Sequence, residues 1–119
     1  MMSSSVPSIA PRDAAAEAAG GAAVIVDVRE PDEFAQERVE GAALVPLSGF
    51  RERFADLPKD RPLLMLCAAG SRSSSATMFL LQNGWTDVRN VTGGMIGWSS
   101  AGLPVRSGPP DPGEGDLPG

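Results

Sequence analysis

The chain has no histidine and one cysteine, Cys67, among its 119 residues. Structural zinc and iron–sulfur sites draw on several Cys and His ligands, so neither metal is expected here, and no cofactor is implied. A single cysteine cannot close an internal disulfide, which argues against a stapled, secreted fold. Without histidine, a Cys-His dyad of the papain type is ruled out too. Basic charge is scarce: 10 Lys and Arg against 15 Asp and Glu leave a net charge of −5. A general nucleic-acid or membrane-surface binder needs a basic face, so neither partner is expected. The longest fully apolar run is "LLMLCAA", residues 63–69. It falls far short of the roughly 20 residues that cross a bilayer. The stretch "MMSSSVPSIAPRD" has no basic region leading into a long apolar segment. No signal peptide is therefore expected, and the expected location is cytoplasmic. No internal repeat is visible.

The apolar share of 42% is enough for one core in one domain. Residues 1–7 are small and polar and are expected to fray. The tail 106–119, "RSGPPDPGEGDLPG", is mostly Gly, Pro and acid. Such a segment buries little apolar surface and is expected to be disordered. The folded unit is then 8–105. Within it, apolar runs at 22–28, 43–45 and 63–66, with a further short strand at 87–91, alternate with helical patterns at 11–19, 30–38, 47–57 and 73–83. Gly20-Gly21 and Gly84 stop two of those helices. Ala76, Phe79 and Leu80 form one apolar stripe on the last. Alternating strand and helix predicts an α/β fold with a mainly parallel sheet and helices on both faces.

Ligands of such sheets bind at the carboxyl ends of the strands. Cys67 occupies such an end, directly after the strand at 63–66 and before the helix at 73–83. Between them runs "CAAGSRS". Gly70 permits a tight turn, and the first N–H groups of a helix lack internal partners and carry partial positive charge. These amides can converge as an anion nest. A thiolate over the nest, with Arg72 nearby, would have a lowered pKa without any histidine. The other reading is a small buried hydrophobe, the common fate of a free cysteine. Residue type and spacing leave both open.

The wider sequence adds a resemblance. "VIVDVREPDEF" (24–34), "VEGAALVPL" (39–47), "LLMLCAAGSRS" (63–73) and "LLQNGWTDVRNVTGGMIGW" (80–98) follow the order and spacing of the single-domain rhodanese family. The chain resembles these sulfurtransferases from about residue 9 to 105. The resemblance implies a five-stranded parallel sheet flanked by helices on both faces. It implies Cys67 as catalytic nucleophile, with Ala68, Ala69, Gly70, Ser71, Arg72 and Ser73 as the loop that binds substrate and persulfide. In the family reaction the thiolate takes the outer sulfur of a donor such as thiosulfate, and the resulting persulfide passes it to cyanide or a thiol. The implied partners are thus a small anionic sulfur donor and a thiol or cyanide acceptor. A protein sulfur donor or acceptor, as in a persulfide relay carrier, is the alternative, and a non-catalytic interaction module is another. Related phosphatases use Cys-x5-Arg. The shorter Cys-x4-Arg of residues 67–72 suits a single sulfur atom better than a phosphate.

Asp27 and Arg29, at another strand end, are expected to support the loop or attract an anion, or else to form a structural ion pair with neighbours such as Glu33. Arg72 is expected either to bind the donor's sulfonate or to hold loop carbonyls. Ser71, Ser73, Ser74 and Ser75 are expected to cap the helix. Gly93, Gly94 and Trp98 read as a tight turn with a packed anchor, and Trp85 as core. Two departures from the family stand out. "ERVEGA" (37–42) replaces the common "GHIPGA", putting Arg38 and Glu40 where His and Pro are usual; only a structural change is expected there. Ala68 and Ala69 stand where relatives active on thiosulfate often carry Lys or Arg, which weakens attraction for a dianionic donor.

Overall fold

The structure is a computed structural model and describes residues 6–118. Five strands form one parallel sheet: β1 (Ser8–Ile9), β2 (Val24–Asp27), β3 (Ala43–Leu44), β4 (Leu63–Leu66) and β5 (Val88–Val91), in the spatial order β1-β5-β4-β2-β3. The helices are α1 (Pro11–Ala19), α2 (Pro31–Gln36), α3 (Phe50–Arg53), α4 (Ser71–Gln82) and α5 (Gly94–Ser100). The α/β fold with a five-stranded parallel sheet is the one expected.

The central strands β2 and β4 are buried along their whole length, which is why they read as continuous apolar runs. Alternation then divides their side chains between two cores. Val24, Val26, Leu63, Met65 and Cys67 face one layer with Phe50, Ala76 and Leu80 of α3 and α4. Ile25, Leu64, Leu66 and Val91 face the other, with Ala14, Phe34, Met95 and Trp98 of α1, α2 and α5. Cys67 therefore continues the parity of Met65 and points toward α4.

The sheet departs from the sequence reading at its margins. β1 has only two residues and no apolar run to announce it. Of the end expected to fray, residues 1–5 lie outside the described residues. Pro7 is tied down, since its carbonyl accepts the Asn90 N–H at 2.8 Å. The helix expected over 47–57 is broken into a 3-10 turn (Leu47–Gly49), α3 and a second 3-10 turn (Phe54–Asp56). This segment is held instead by aromatic packing, with Phe50 and Phe54 both meeting the Phe79 ring edge-on.

The tail is a correction of larger consequence. Residues 106–118 are ordered against the body, not disordered. Arg38 and Arg106 exchange both N–H···O bonds at 2.8 Å, and Leu44 on the edge strand β3 donates its N–H to Gly115 at 2.7 Å. The buried Arg38 guanidinium gives Nε and Nη2 to the Glu114 carboxylate and Nη1 to the Gly108 carbonyl. Gly115 lies flat against Phe34 and Leu44, and Leu117 packs on the α3–α4 core. The tail brings little apolar surface, but it supplies acceptors to a buried guanidinium and a partner to an open strand edge. Arg38 is thus structural, as expected, but central to this clamp.

The Glu114 carboxyl is drawn down to about 2, chiefly by its hydrogen bonds from Arg38. A carboxylate held below its ordinary value contributes stability above that value and loses it as pH falls through the lowered one. Glu114→Gln is expected to reduce the urea midpoint above pH ~5, with the gap from the native chain closing as pH falls toward 2. Denaturation curves across pH read this directly, and a gap that stayed constant down to acid pH would argue against the clamp.

Candidate active site

The site is built where β4 ends. Cys67 follows Leu66 directly, and three residues later Gly70 turns the chain into α4 at a left-handed φ of +107°. A side chain resists that conformation, which accounts for glycine here. The loop's peptide planes are oriented from outside. At the start of α5, Met95 donates its N–H to the Cys67 carbonyl at 2.8 Å, and Ile96 donates to the Ala68 carbonyl at 3.0 Å. In a trans peptide the C=O and the following N–H point in opposite directions. With both carbonyls turned toward α5, the N–H groups of Ala68 and Ala69 turn the other way, toward the inside of the loop.

This approach requires the glycines of "GGMIGW". Gly93 and Gly94 both have positive φ, +75° and +57°. A Cβ on Gly94 would collide with the Cys67 carbonyl oxygen and lie 2.7 Å from the Ala68 carbonyl group. The expected tight turn is thus also the start of a helix that the sequence reading missed. Trp98 is its anchor, buried and donating its indole N–H to the Pro104 carbonyl at 3.0 Å. Trp85 is likewise buried.

One amide and one hydroxyl meet the Cys67 sulfur. Gly70 donates its N–H to Sγ at 3.1 Å, and the Ser73 hydroxyl lies 3.2 Å from Sγ. Burial pushes the thiol up. The Ser73 hydroxyl, when it turns its one hydrogen to the sulfur, and the amides of Ser73, Gly70 and Ala69 outweigh this, and the thiol sits below its ordinary value. The arrangement at this helix start therefore favours the charged form of the thiol without any histidine. Cys67 is also 1% exposed and lines a core, so it packs as a small hydrophobe as well.

The serines do not cap α4. The N-cap is Gly70, with no side-chain cap bond. Ser73 turns inward because its position faces the sulfur, whereas Ser71 and Ser75 are exposed. Ala68 is half-buried and Ala69 exposed at the mouth, beside Ile96, the one large apolar residue strongly exposed among the described residues, at 64%.

The expected cations are otherwise engaged. Arg72 forms a two-pronged ion pair with Glu33 on α2, both contacts 2.9 Å, and no hydrogen bond to a loop carbonyl is found for it. That contact holds the Glu33 carboxyl down at about 2. Arg72 remains near enough for its charge to be felt at Cys67. Asp27 pairs in register with Leu66 and projects toward α2, the opposite face from the sulfur. Its carboxylate takes Nε and Nη2 of Arg29, and Arg29 also donates to the Glu33 and Glu37 carbonyls at 3.3 and 2.7 Å. Both residues are buried. They anchor the end of α2, and the ion pair is between themselves; the Glu33 carboxylate goes to Arg72.

One residue of the site escaped the sequence reading. Asn90 on β5 is buried, aligned with Met65, and has its side chain between Ser73 and Gly70. Its signal was a carboxamide in a strand at a core-facing position, where Asn is uncommon.

The comparisons agree with this architecture. The Rhodanese-like domain matches residues 10–101 of the chain. A protein named sulfurtransferase from Allochromatium vinosum is 38% identical over 82 residues, covering 69% of this chain and 77% of that protein. The thiosulfate sulfurtransferase GlpE of Actinobacillus succinogenes is 34% identical over 85 residues, covering 71% and 77%. Among solved structures, a rhodanese-related protein from Thermoplasma volcanium superposes with a TM-score of 0.77 at 33% identity, covering 84% of this chain and 97% of that one.

Gly94→Ala is expected to destabilise the chain well beyond the cost at Gly102, which has φ +76° but open space around it. Gly102→Ala should cost about 1 kcal/mol of backbone strain. Gly94→Ala should also shift Cys67 alkylation to higher pH, because α5 can no longer hold the loop carbonyls. Urea denaturation and alkylation rates check both. Equal stability losses at the two positions would contradict the role given to the α5 contact.

Proposed function

The chain belongs to the rhodanese-like family, a rhodanese-type sulfurtransferase, and we propose that it moves a sulfane sulfur through a persulfide on Cys67. The observation that carries this is a lone cysteine sulfur at a strand end, met by the Gly70 N–H at 3.1 Å and the Ser73 hydroxyl at 3.2 Å where the loop turns into α4. In the first half-reaction the Cys67 thiolate attacks the outer sulfur of the donor. With thiosulfate, the new S–S bond forms as the donor's S–S bond breaks, and its electron pair leaves on sulfite. The enzyme is left as Cys–S–S⁻. In the second half-reaction a thiophile, cyanide or a thiolate, attacks the outer sulfur, and the electron pair returns to Sγ. The amides stabilise the anion in both resting and loaded states, as an oxyanion hole does for oxygen. A cysteine 1% exposed admits a slender terminal atom more readily than a bulky group, which supports sulfur over phosphate esters.

A second reading concerns the donor. Arg72 is paired with Glu33 and Arg29 with Asp27, the loop residues Ala68 and Ala69 carry no charge, and Ile96, whose N–H meets the Ala68 carbonyl, is exposed. A loop whose one cation is already paired, on a chain of net charge −5, gives a dianion little attraction, and favours a protein-borne or organic persulfide as donor. Loading from such a donor uses the same chemistry: the outer sulfur passes to Sγ and the donor leaves as its thiolate.

Incubation with thiosulfate, or with a persulfidated protein, is expected to add the mass of one sulfur atom to the native chain and none to Cys67→Ser. Intact mass measurement reads the loading and thiocyanate formation reads the transfer. Equal thiocyanate production by Cys67→Ser would falsify the catalytic role. Faster loading from thiosulfate than from the protein persulfide would overturn the second reading alone.

A further inference from the structure

We propose that Asn90 is a positioning residue that sets the Cys67 thiol by drawing the Ser73 hydroxyl hydrogen away from the sulfur. The argument is one of hydrogen-bond inventory. Asn90 Nδ2 lies 3.2 Å from the Gly70 carbonyl oxygen. A carbonyl oxygen only accepts, so the amide end of Asn90 must face it and the carboxamide oxygen must face Ser73. That oxygen lies 2.5 Å from Ser73 Oγ. Two oxygens at that distance need a hydrogen between them, and a carboxamide oxygen has none to give. The hydrogen is therefore that of Ser73.

A serine hydroxyl carries one hydrogen. Cys67 Sγ, at 3.2 Å, competes for it with Asn90 Oδ1, and the more distant Gly70 carbonyl, at 3.4 Å, is a third acceptor. While the hydrogen is on the Asn90 side, Ser73 presents a lone pair to the sulfur. That arrangement accepts an S–H and stabilises the neutral thiol. A thiolate or an anionic persulfide gains the hydroxyl only when Ser73 releases Asn90. Asn90 thus limits how far the loop lowers the thiol pKa, leaving the main-chain amides as the constant donors. The low-polarity setting sharpens the competition, since Ser73 is fully buried and Asn90 only 8% exposed.

No charged group is placed to do the same. Arg72 on α4 is held by Glu33 on α2, and Asp27 and Arg29 at the end of β2 hold each other. Arg89, next to Asn90 on β5, pairs with Glu17 on α1. The start of α5 carries no charged side chain.

The test is the pH profile of Cys67 alkylation by iodoacetamide, which is clean because the chain has one cysteine. Asn90→Ala removes the competing acceptor. The Gly70 carbonyl keeps its bond from the Ser74 N–H, 3.1 Å, so no new unpaired group arises. The midpoint is expected to fall by about one pH unit, the size of one hydrogen bond gained by an anion. Asn90→Val, better suited to a strand, should give the same fall if the alanine variant folds poorly. In a Ser73→Ala background the Asn90 substitutions should no longer move the midpoint, which a merely structural role for Asn90 would not predict. An unchanged or raised midpoint in both Asn90 variants, or a fall that persists without Ser73, overturns the proposal. The readout is a thiol titration and is independent of whether sulfur transfer is observed.

Discussion

The hydrogen bonds from the first amides of α5 to the Cys67 and Ala68 carbonyls fix the rest of the site. A short loop between a strand and a helix has many ways to point its peptide planes. Two external donors restrict it to the one in which carbonyls face α5 and amides face the sulfur. The close approach needs Gly94 without a side chain, and it needs α5 to be held by the buried Trp98. The contacts that shape the Cys67 loop thus extend to Trp98, well along the chain from the loop itself.

The two-sided core supplies the other constraint. Parity along β4 sends Leu64 and Leu66 to one layer and Met65 and Cys67 to the other. The same parity on β5 brings Asn90 beneath the loop and sends Arg89 toward α1. By the same rule Asp27 belongs to the layer of α2, away from the thiol. Its carboxylate accepts from Arg29, whose guanidinium also donates to the Glu33 and Glu37 carbonyls, as a buried carboxylate and guanidinium require, since neither could remain uncompensated there. Arg72, half exposed at the loop's end, keeps its charge but shares it with Glu33.

The central strands, the long helices and the place of Cys67 were legible because each writes itself locally, as an apolar run, a helical period or a strand–glycine–helix junction. What was not legible depended on contacts distant in sequence. β1 is recognisable as a strand only by pairing with β5. The serines read as caps because they open a helix, but the left-handed Gly70 takes the cap position and frees Ser73 for the sulfur. The tail looked disordered by composition, which counts apolar area and misses a buried Arg38 in need of acceptors and a β3 edge in need of a partner. Arg72 looked available because nothing in its own motif announces Glu33 on another helix.

The donors around the sulfur are mostly main chain, and this separates two properties that side chains would have bound together. The side chains at 68, 69 and 71 belong to the loop, and none of them is hydrogen-bonded to the sulfur. Drift at those positions can alter the surface of the loop while leaving the hydrogen bonds to the sulfur intact. Substitutions at the rim of such a loop therefore leave the contacts to the sulfur in place, whereas changes at Gly70 or Gly94 have no such freedom.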